Sequence, residues 1–310
     1  MTGHPAAEAF RGGDGLIRVV GHRGARGILP ENTLPGFEFA LATGTYLLEF
    51  DVVMTADNIP VITHNHTLHA PTFRDAGGRF LTQEPKVSDL SYDPIKTYDI
   101  GRIDGASAYG QRFPDQAQVD GLRVPRLDEL FALVTRTGHQ GAVLMLEIKS
   151  DPDFAGNSGY LKTLIERITD EVRAAGLEHR ALLHSFDWSL LAECQAIAPD
   201  MPLSFLTQLP ANEDEVGEDS SQSVTPDFSG REEHIPALVS EANGRLWCPY
   251  MRDVTAEGVA LAHELDLIVA VWTVNEADDI DRMIDFGVDA IVSDYPGRVQ
   301  RRLADRGFAW

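Results

Sequence analysis

With 310 residues and 43% hydrophobic content, the chain is long enough for one large core or two ordinary domains. Its 48 Asp and Glu against 26 Lys and Arg give a net charge of -22. That balance argues against nucleic acid or an anionic membrane surface as a partner, since both select basic patches.

Residues 1–16 hold no basic segment followed by an apolar run and a small-residue cleavage site. No apolar run reaches the ~20 residues of a membrane helix. The expectation is a cytoplasmic protein without a membrane span. Cys194 and Cys248 are the only cysteines, which is no disulfide framework.

Residues 17–20 read as a short buried strand running into His22-Arg23-Gly24. Thr33 is a helix N-cap, with Leu34, Phe37 and Leu41 at helical spacing and Gly44 closing the helix. A second strand follows over residues 47–53. Strand side chains alternate, so Glu49 and Asp51 share one face and Phe50 takes the other. Two carboxylates on an apolar strand are costly to bury unless a cation joins them.

Only residues 54–58 separate this strand from the next apolar run, 59–63. A parallel crossover needs about a dozen residues, so the two runs should pair as an antiparallel hairpin turning near Asp57-Asn58. Counting back from the turn, His64 lands opposite Glu49 and Asp51. Two histidines, two carboxylates and an arginine at neighbouring strand ends point to phosphate ester chemistry with a divalent metal.

Residues 66–120 have a different texture, rich in Asp, Gly, Pro and Tyr and lacking strand–helix alternation. They read as an insertion that leaves beside His64 and returns at Val124-Pro125, serving as a lid or substrate-specificity element. His66 and His69, at its start, read as peripheral.

From Leu127 the alternation resumes. Helices are expected near 127–135, 160–175, 188–197, 256–265 and 276–286, with one more at the C-terminus. Strands are expected over 142–149, 181–186, 203–206, 246–250, 267–274 and 290–293. Residues 210–233, polar and strongly acidic, read as an exposed loop. With the hairpin arm set aside, eight strands separated by helical segments predict an α/β fold of the TIM-type (β/α)8 barrel class, one domain over residues 1–310. A doubly wound open sheet would favour a glycine-rich nucleotide loop after the first strand. Here His22 and Arg23 occupy that turn.

The ordered set His22-Arg23-Gly24, Pro30-Glu31-Asn32-Thr33, Glu49-x-Asp51 and Pro60-Val61-x-x-His64 resembles the glycerophosphodiester phosphodiesterase family. So do Val124-Pro125-Arg126-Leu127, Glu147-Ile148-Lys149, Ser185-Phe186-Asp187, Val271-Trp272-Thr273-Val274-Asn275 and Ser293-Asp294-Tyr295-Pro296. The resemblance implies a small-molecule glycerophosphodiester substrate, hydrolysed to glycerol 3-phosphate and an alcohol with His22 and His64 as proton carriers. One histidine would take the proton of a glycerol hydroxyl that attacks phosphorus, and the other would protonate the departing alcohol. Direct attack by a metal-bound water is the competing course. One position departs from the family pattern: Asn65 stands where Asp usually follows the second histidine.

In such barrels the reacting groups sit at the C-terminal ends of strands, where His22, Glu49, Asp51, Glu147, Lys149, Trp272 and Asp294 all fall. Glu49, Asp51 and Glu147 make an all-oxygen set suited to Ca²⁺ or Mg²⁺ rather than zinc. In an acidic protein the few cations must gather at the site. Arg23 can fork two phosphate oxygens and Lys149 adds a point charge. Trp272 offers an apolar wall for the glycerol carbons, and Phe186 reads first as core packing. Two rival readings remain. A related phospholipase D or sphingomyelinase-type barrel would generally lack the Arg-Gly after the first histidine. A non-catalytic phosphodiester-binding protein should have lost a proton carrier or carboxylate.

Overall fold

Residues 47–54, LLEFDVVM, are buried along their whole length, as a strand must be when both of its faces are covered. The computed structural model describes residues 3–154, 157–210 and 225–310. Its strands are β1 (Arg18–Gly21), β2 (Leu47–Met54), β3 (Pro60–Ile62), β4 (Val143–Ile148) and β5 (Ala181–Ser185), then β6 (Leu203–Thr207), β7 (Leu246–Pro249), β8 (Ile268–Val271) and β9 (Ala290–Ser293). All but β3 pair in parallel in the order β1-β9-β8-β7-β6-β5-β4-β2. The sheet closes where β2 meets β1, Val20 opposite Leu47. This is the expected (β/α)8 barrel.

Alternation sorts each strand into two packing layers. Leu48, Phe50 and Val52 point outward into the layer shared with the helices. Leu47 belongs to the barrel interior with Val143, Leu182, Leu246 and Ile268. The helices present matching stripes. Ser158–Ala174 buries Leu161, Leu164, Ile165, Ile168 and Val172 at helical spacing. Burying such side chains stabilises by roughly 1.5–3 kcal/mol each. Thr33 caps Leu34–Ala42 by accepting from the Gly36 N–H at 3.2 Å.

The structure departs from the sequence reading in three places. A helix at Ile235–Glu241, with Pro236 in its first turn, lies between β6 and β7, just past the loop expected at 210–233, where the sequence reading assigned no element. Of the loop expected at 210–233, residues 211–224 lie outside the described residues. The run at 267–274 pairs in the ladder only to Val271, and Trp272 makes a single bridge to Tyr250. The N-terminal helix Pro5–Glu8 has no counterpart in the sequence reading. Its Ala6 and Ala7, with Phe10, join the barrel-interior cluster.

The arm forms as the spacing requires. β3 runs antiparallel to β2 with Val52 opposite Ile62 and Met54 opposite Pro60. Asn58, at φ +58°, makes the turn, and the Thr63 N–H donates to Asp51 O at 3.2 Å. His64 is therefore delivered beside the carboxylate strand. On the other side of β3, the Ile62 N–H donates to Pro125 O at 2.8 Å. Between these points the chain makes short helical turns and packs Leu68, Phe73, Val87, Ile95 and Ile100 against Val53 and Val61. No helix among the described residues is long and apolar enough to cross a membrane.

Candidate active site

Glu49 and Asp51 face the barrel axis because Leu48, Phe50 and Val52 are claimed by the outer layer. Asp51 lies in register with Glu147 on β4. Glu49, Asp51 and Glu147, all buried, each offer an oxygen within 4.8 Å of the others. Burial raises the Glu49 pKa well above the usual carboxylate range, and the charges of Asp51 and Glu147 add to it. Burial likewise pushes Glu147 up to about 7 against the pull of Lys149. Burial acts on Asp51 too, but Lys149 and Arg23 outweigh it and hold this carboxyl well below its ordinary value.

The two cations sit among these acids. Lys149 Nζ lies 2.6 Å from Glu147 Oε1 and 3.0 Å from Asp51 Oδ1, and the pair raises its pKa despite burial. Arg23 Nε is 3.1 Å from Asp51 Oδ2 and Arg23 Nη1 donates to Glu31 Oε1 at 2.9 Å. Arg23 has φ +50°, a left-handed backbone that aims its N–H at Glu49 Oε2, 3.0 Å away. Gly24 follows at φ +88°, where a Cβ would meet the Gly36 backbone at 2.9 Å. Asn32 Nδ2 donates to Asp51 Oδ2 at 2.9 Å.

After these bonds Glu49 Oε1 remains buried with no hydrogen-bond partner. A buried carboxylate oxygen left in that state is costly unless a cation meets it. The donor set is all oxygen, so the trio fits a hard divalent ion.

His22 leaves β1 with Nδ1 2.7 Å from Asp294 Oδ1 and Nε2 3.8 Å from Glu49 Oε2. The carboxylate acceptor puts the proton on Nδ1 and leaves Nε2 as the acceptor. Burial, then the Arg26 guanidinium, lower the His22 pKa below the ordinary value, with Asp294 opposing them. Asp294 is itself held by Arg26 Nε at 2.8 Å and Asn275 Nδ2 at 2.7 Å. His64 Nδ1 donates to Asn65 Oδ1 at 2.5 Å, so the amide keeps the acceptor an Asp would supply without its charge.

His22, Arg23, Glu49, His64, Glu147 and Trp272 line one cavity. Trp272 is anchored by Nε1 donating to Cys248 O at 3.0 Å. Phe186 meets it edge-on at 5.4 Å and lines the same cavity, so it is wall as well as core. Lys149 stays beneath, between Glu147 and Asp51. His66 is turned to the Ser150 backbone. His69 packs edge-on against Tyr109, 4.7 Å between centroids. The sequence reading missed Arg26, Asn275, Tyr109 and His184. His184, on β5, lines the cavity with Nδ1 2.8 Å from Ser204 Oγ.

Buried carboxylates that outnumber their cations, beside a histidine held by its own carboxylate, fit the class of barrel-type phosphodiesterases. The family follows from comparison. The sequence model of the Glycerophosphoryl diester phosphodiesterase family matches residues 22–298, and the chain belongs to that family. It is 27% identical over 278 residues to the glycerophosphodiester phosphodiesterase of Caldanaerobacter subterraneus, covering 90% of this chain and 94% of that one. A crystal structure of a putative glycerophosphoryl diester phosphodiesterase from Silicibacter pomeroyi superposes with a TM-score of 0.93 at 48% identity, covering 99% of this chain and 100% of that one. An Oleispira antarctica phosphodiesterase, solved in complex with the product sn-glycerol-3-phosphate, shares the fold with a TM-score of 0.67 at 20% identity, over 93% of this chain and 97% of that one.

Proposed function

We propose that this enzyme hydrolyses glycerophosphodiesters to glycerol 3-phosphate and an alcohol, with Glu49, Asp51 and Glu147 holding one divalent cation, Ca²⁺ or Mg²⁺. The observation that carries the reading is the buried carboxylate trio whose Glu49 Oε1 has no hydrogen-bond partner and whose Glu49 Oε2 lies 3.8 Å from His22 Nε2. The Oleispira enzyme's product complex supports the glycerol phosphate end of the substrate. The cation, when bound, neutralises a phosphoryl oxygen as charge develops there.

This chain's residues do the rest. The glycerol carbons rest on Trp272 and Phe186, which places the adjacent hydroxyl near His22. His22 Nε2 takes the hydroxyl proton as the oxygen attacks phosphorus, and Asp294 stabilises the imidazolium that results. Protonated His64 gives its proton to the departing alkoxide, which leaves as the alcohol. Water then opens the cyclic phosphodiester. Its proton goes to His64, and His22 returns one to the glycerol oxygen. Keeping the nucleophile on the substrate removes much of the entropic barrier. Arg23 and Lys149 hold positive charge beside the phosphate.

Release of glycerol 3-phosphate from several glycerophosphodiesters, with and without chelator, tests the proposal. Turnover should be metal-dependent, and an inert metal-loaded enzyme would overturn it.

A further inference from the structure

His64 lines two spaces. One is the reaction cavity with Trp272 and Phe186. The other is a crevice between the hairpin and the insertion, walled by Glu31, Asn65, His69, Thr72 and Gln116. Trp272 and Phe186 do not reach this crevice, and the acids of the metal cluster do not line it.

The charges at its wall are cancelled in place. Glu31 takes Arg23 Nη1 at 2.9 Å and the Tyr109 hydroxyl. Arg102 is held bidentately by Asp120, at 2.7 and 2.5 Å. Phe73 is the only Phe, Tyr or Trp among the described residues lining the crevice, and its ring packs edge-on against Tyr98. A quaternary ammonium is recognised by several aromatic faces or a net negative wall. An acyl chain needs a continuous apolar channel, and here Pro30, Ile62, Phe73 and Ile100 are interspersed with polar and charged residues. Thr72 Oγ1 donates to His69 O at 3.3 Å, Asn65 Oδ1 is taken by His64, and Gln116 Nε2 by Arg26 O. That leaves Asn65 Nδ2 to donate and Gln116 Oε1 and the Thr72 oxygen to accept, the complement of an alcohol carrying several hydroxyls.

We infer that this crevice receives the departing alcohol and selects a small neutral polyol over a quaternary ammonium or acyl-bearing alcohol. The inference rests on the proposed reaction. If His64 protonates the leaving oxygen, that oxygen lies against His64, and with the glycerol carbons on Trp272 the rest of the alcohol continues into the crevice. Thr72 is then specificity-determining, with His69 as the residue that positions it, and the insertion acts by shaping this subsite.

The test compares kcat/KM for glycerol 3-phosphate release from the glycerol diester, the choline diester and a lysophosphatidylcholine. The glycerol diester should lead the choline diester by about 10-fold or more, the worth of roughly one to two net hydrogen bonds. The lysolipid should be turned over more slowly than either. Thr72→Val removes a hydroxyl at constant shape, and His69→Phe keeps the ring packed on Tyr109. Each should narrow the glycerol-to-choline ratio to within about 3-fold of unity. A choline diester that matches or beats the glycerol diester overturns the subsite while leaving the reaction intact. So does a ratio that neither variant moves. Absence of release from every diester removes the functional reading and this inference with it.

Discussion

His22 and Asp294 are 272 residues apart in sequence and 2.7 Å apart in space, because β1 and β9 are neighbours in the closed barrel. The pairing fixes the proton of His22 on Nδ1 and leaves Nε2 to accept. Removing either proposed proton carrier, in His22→Ala or His64→Ala, should lower kcat by ~10²–10⁴-fold. A nitrophenyl diester that keeps the glycerol hydroxyl needs no proton on departure. It should rescue His64→Ala and leave His22→Ala impaired. His66→Ala should stay within several-fold of wild type. A loss there as large as in His64→Ala would reassign the second carrier.

The acidic trio predicts how cation binding depends on pH. Glu147, near 7, and Glu49, raised by burial well above the ordinary carboxylate range, hold protons more tightly than free carboxyls do, and a cation must displace them. Affinity for Ca²⁺ or Mg²⁺ should therefore rise with pH through about 7. Calorimetric titrations in two buffers of different ionisation enthalpy should report proton release. Binding with no proton release would mean that Glu49 and Glu147 are not the ligands. Glu49→Gln should weaken the cation without unfolding the barrel.

The sequence shows those parts of the site that come from short-range geometry. Residues 54–58 are too few for a crossover, and that alone sends His64 back to Glu49 and Asp51. Glu147 is found because it ends the strand expected over 142–149 within Glu147-Ile148-Lys149, a piece that resembles the family. The support of His22 is different. Arg26 is only four residues beyond His22, but Asn275 and Asp294 come from the far end of the chain, and only closure of the barrel shows that they converge on it. His184 sits inside β5, where it is indistinguishable from a core position until strand register is known. The insertion hides its contacts for the same reason, since an irregular segment has no period from which to infer a face.

His184 carries a stability prediction. Burial, with Lys149 adding to it, drives its pKa down to about 3, so the folded protein keeps it neutral while the unfolded chain protonates near 6.5. The stabilisation is present above pH 6.5 and is lost as pH falls toward 3. From pH 6.5 to 5 the loss is on the order of 2 kcal/mol. His184→Gln, which cannot titrate there, should show a flatter dependence in urea unfolding of the metal-free protein. An equally steep fall in the variant would assign the effect to other groups.

The last prediction concerns Tyr109, the point where the insertion touches both halves of the site. Its Oη accepts from Arg26 Nη1 at 3.1 Å and from Arg23 Nη1 at 3.4 Å while donating to Glu31. Arg26 reaches on to Asp294, and Arg23 to Asp51. Beneath Arg26, the ring of Phe113 lies 4.4 Å from the guanidinium carbon. One hydroxyl thus ties the carboxylate of the His22 pair to the acidic trio through two buried cations. Tyr109→Phe keeps the ring and removes the tie, leaving polar groups that cost roughly 1–3 kcal/mol to leave unsatisfied. Part of that cost should appear in turnover, as a kcat lower by about 10-fold with KM within 2-fold. Replacing residues 69–118 with a short linker should leave the barrel signal in circular dichroism but lower kcat at least as far. If Tyr109→Phe turns over like wild type, the insertion covers the site without positioning its arginines.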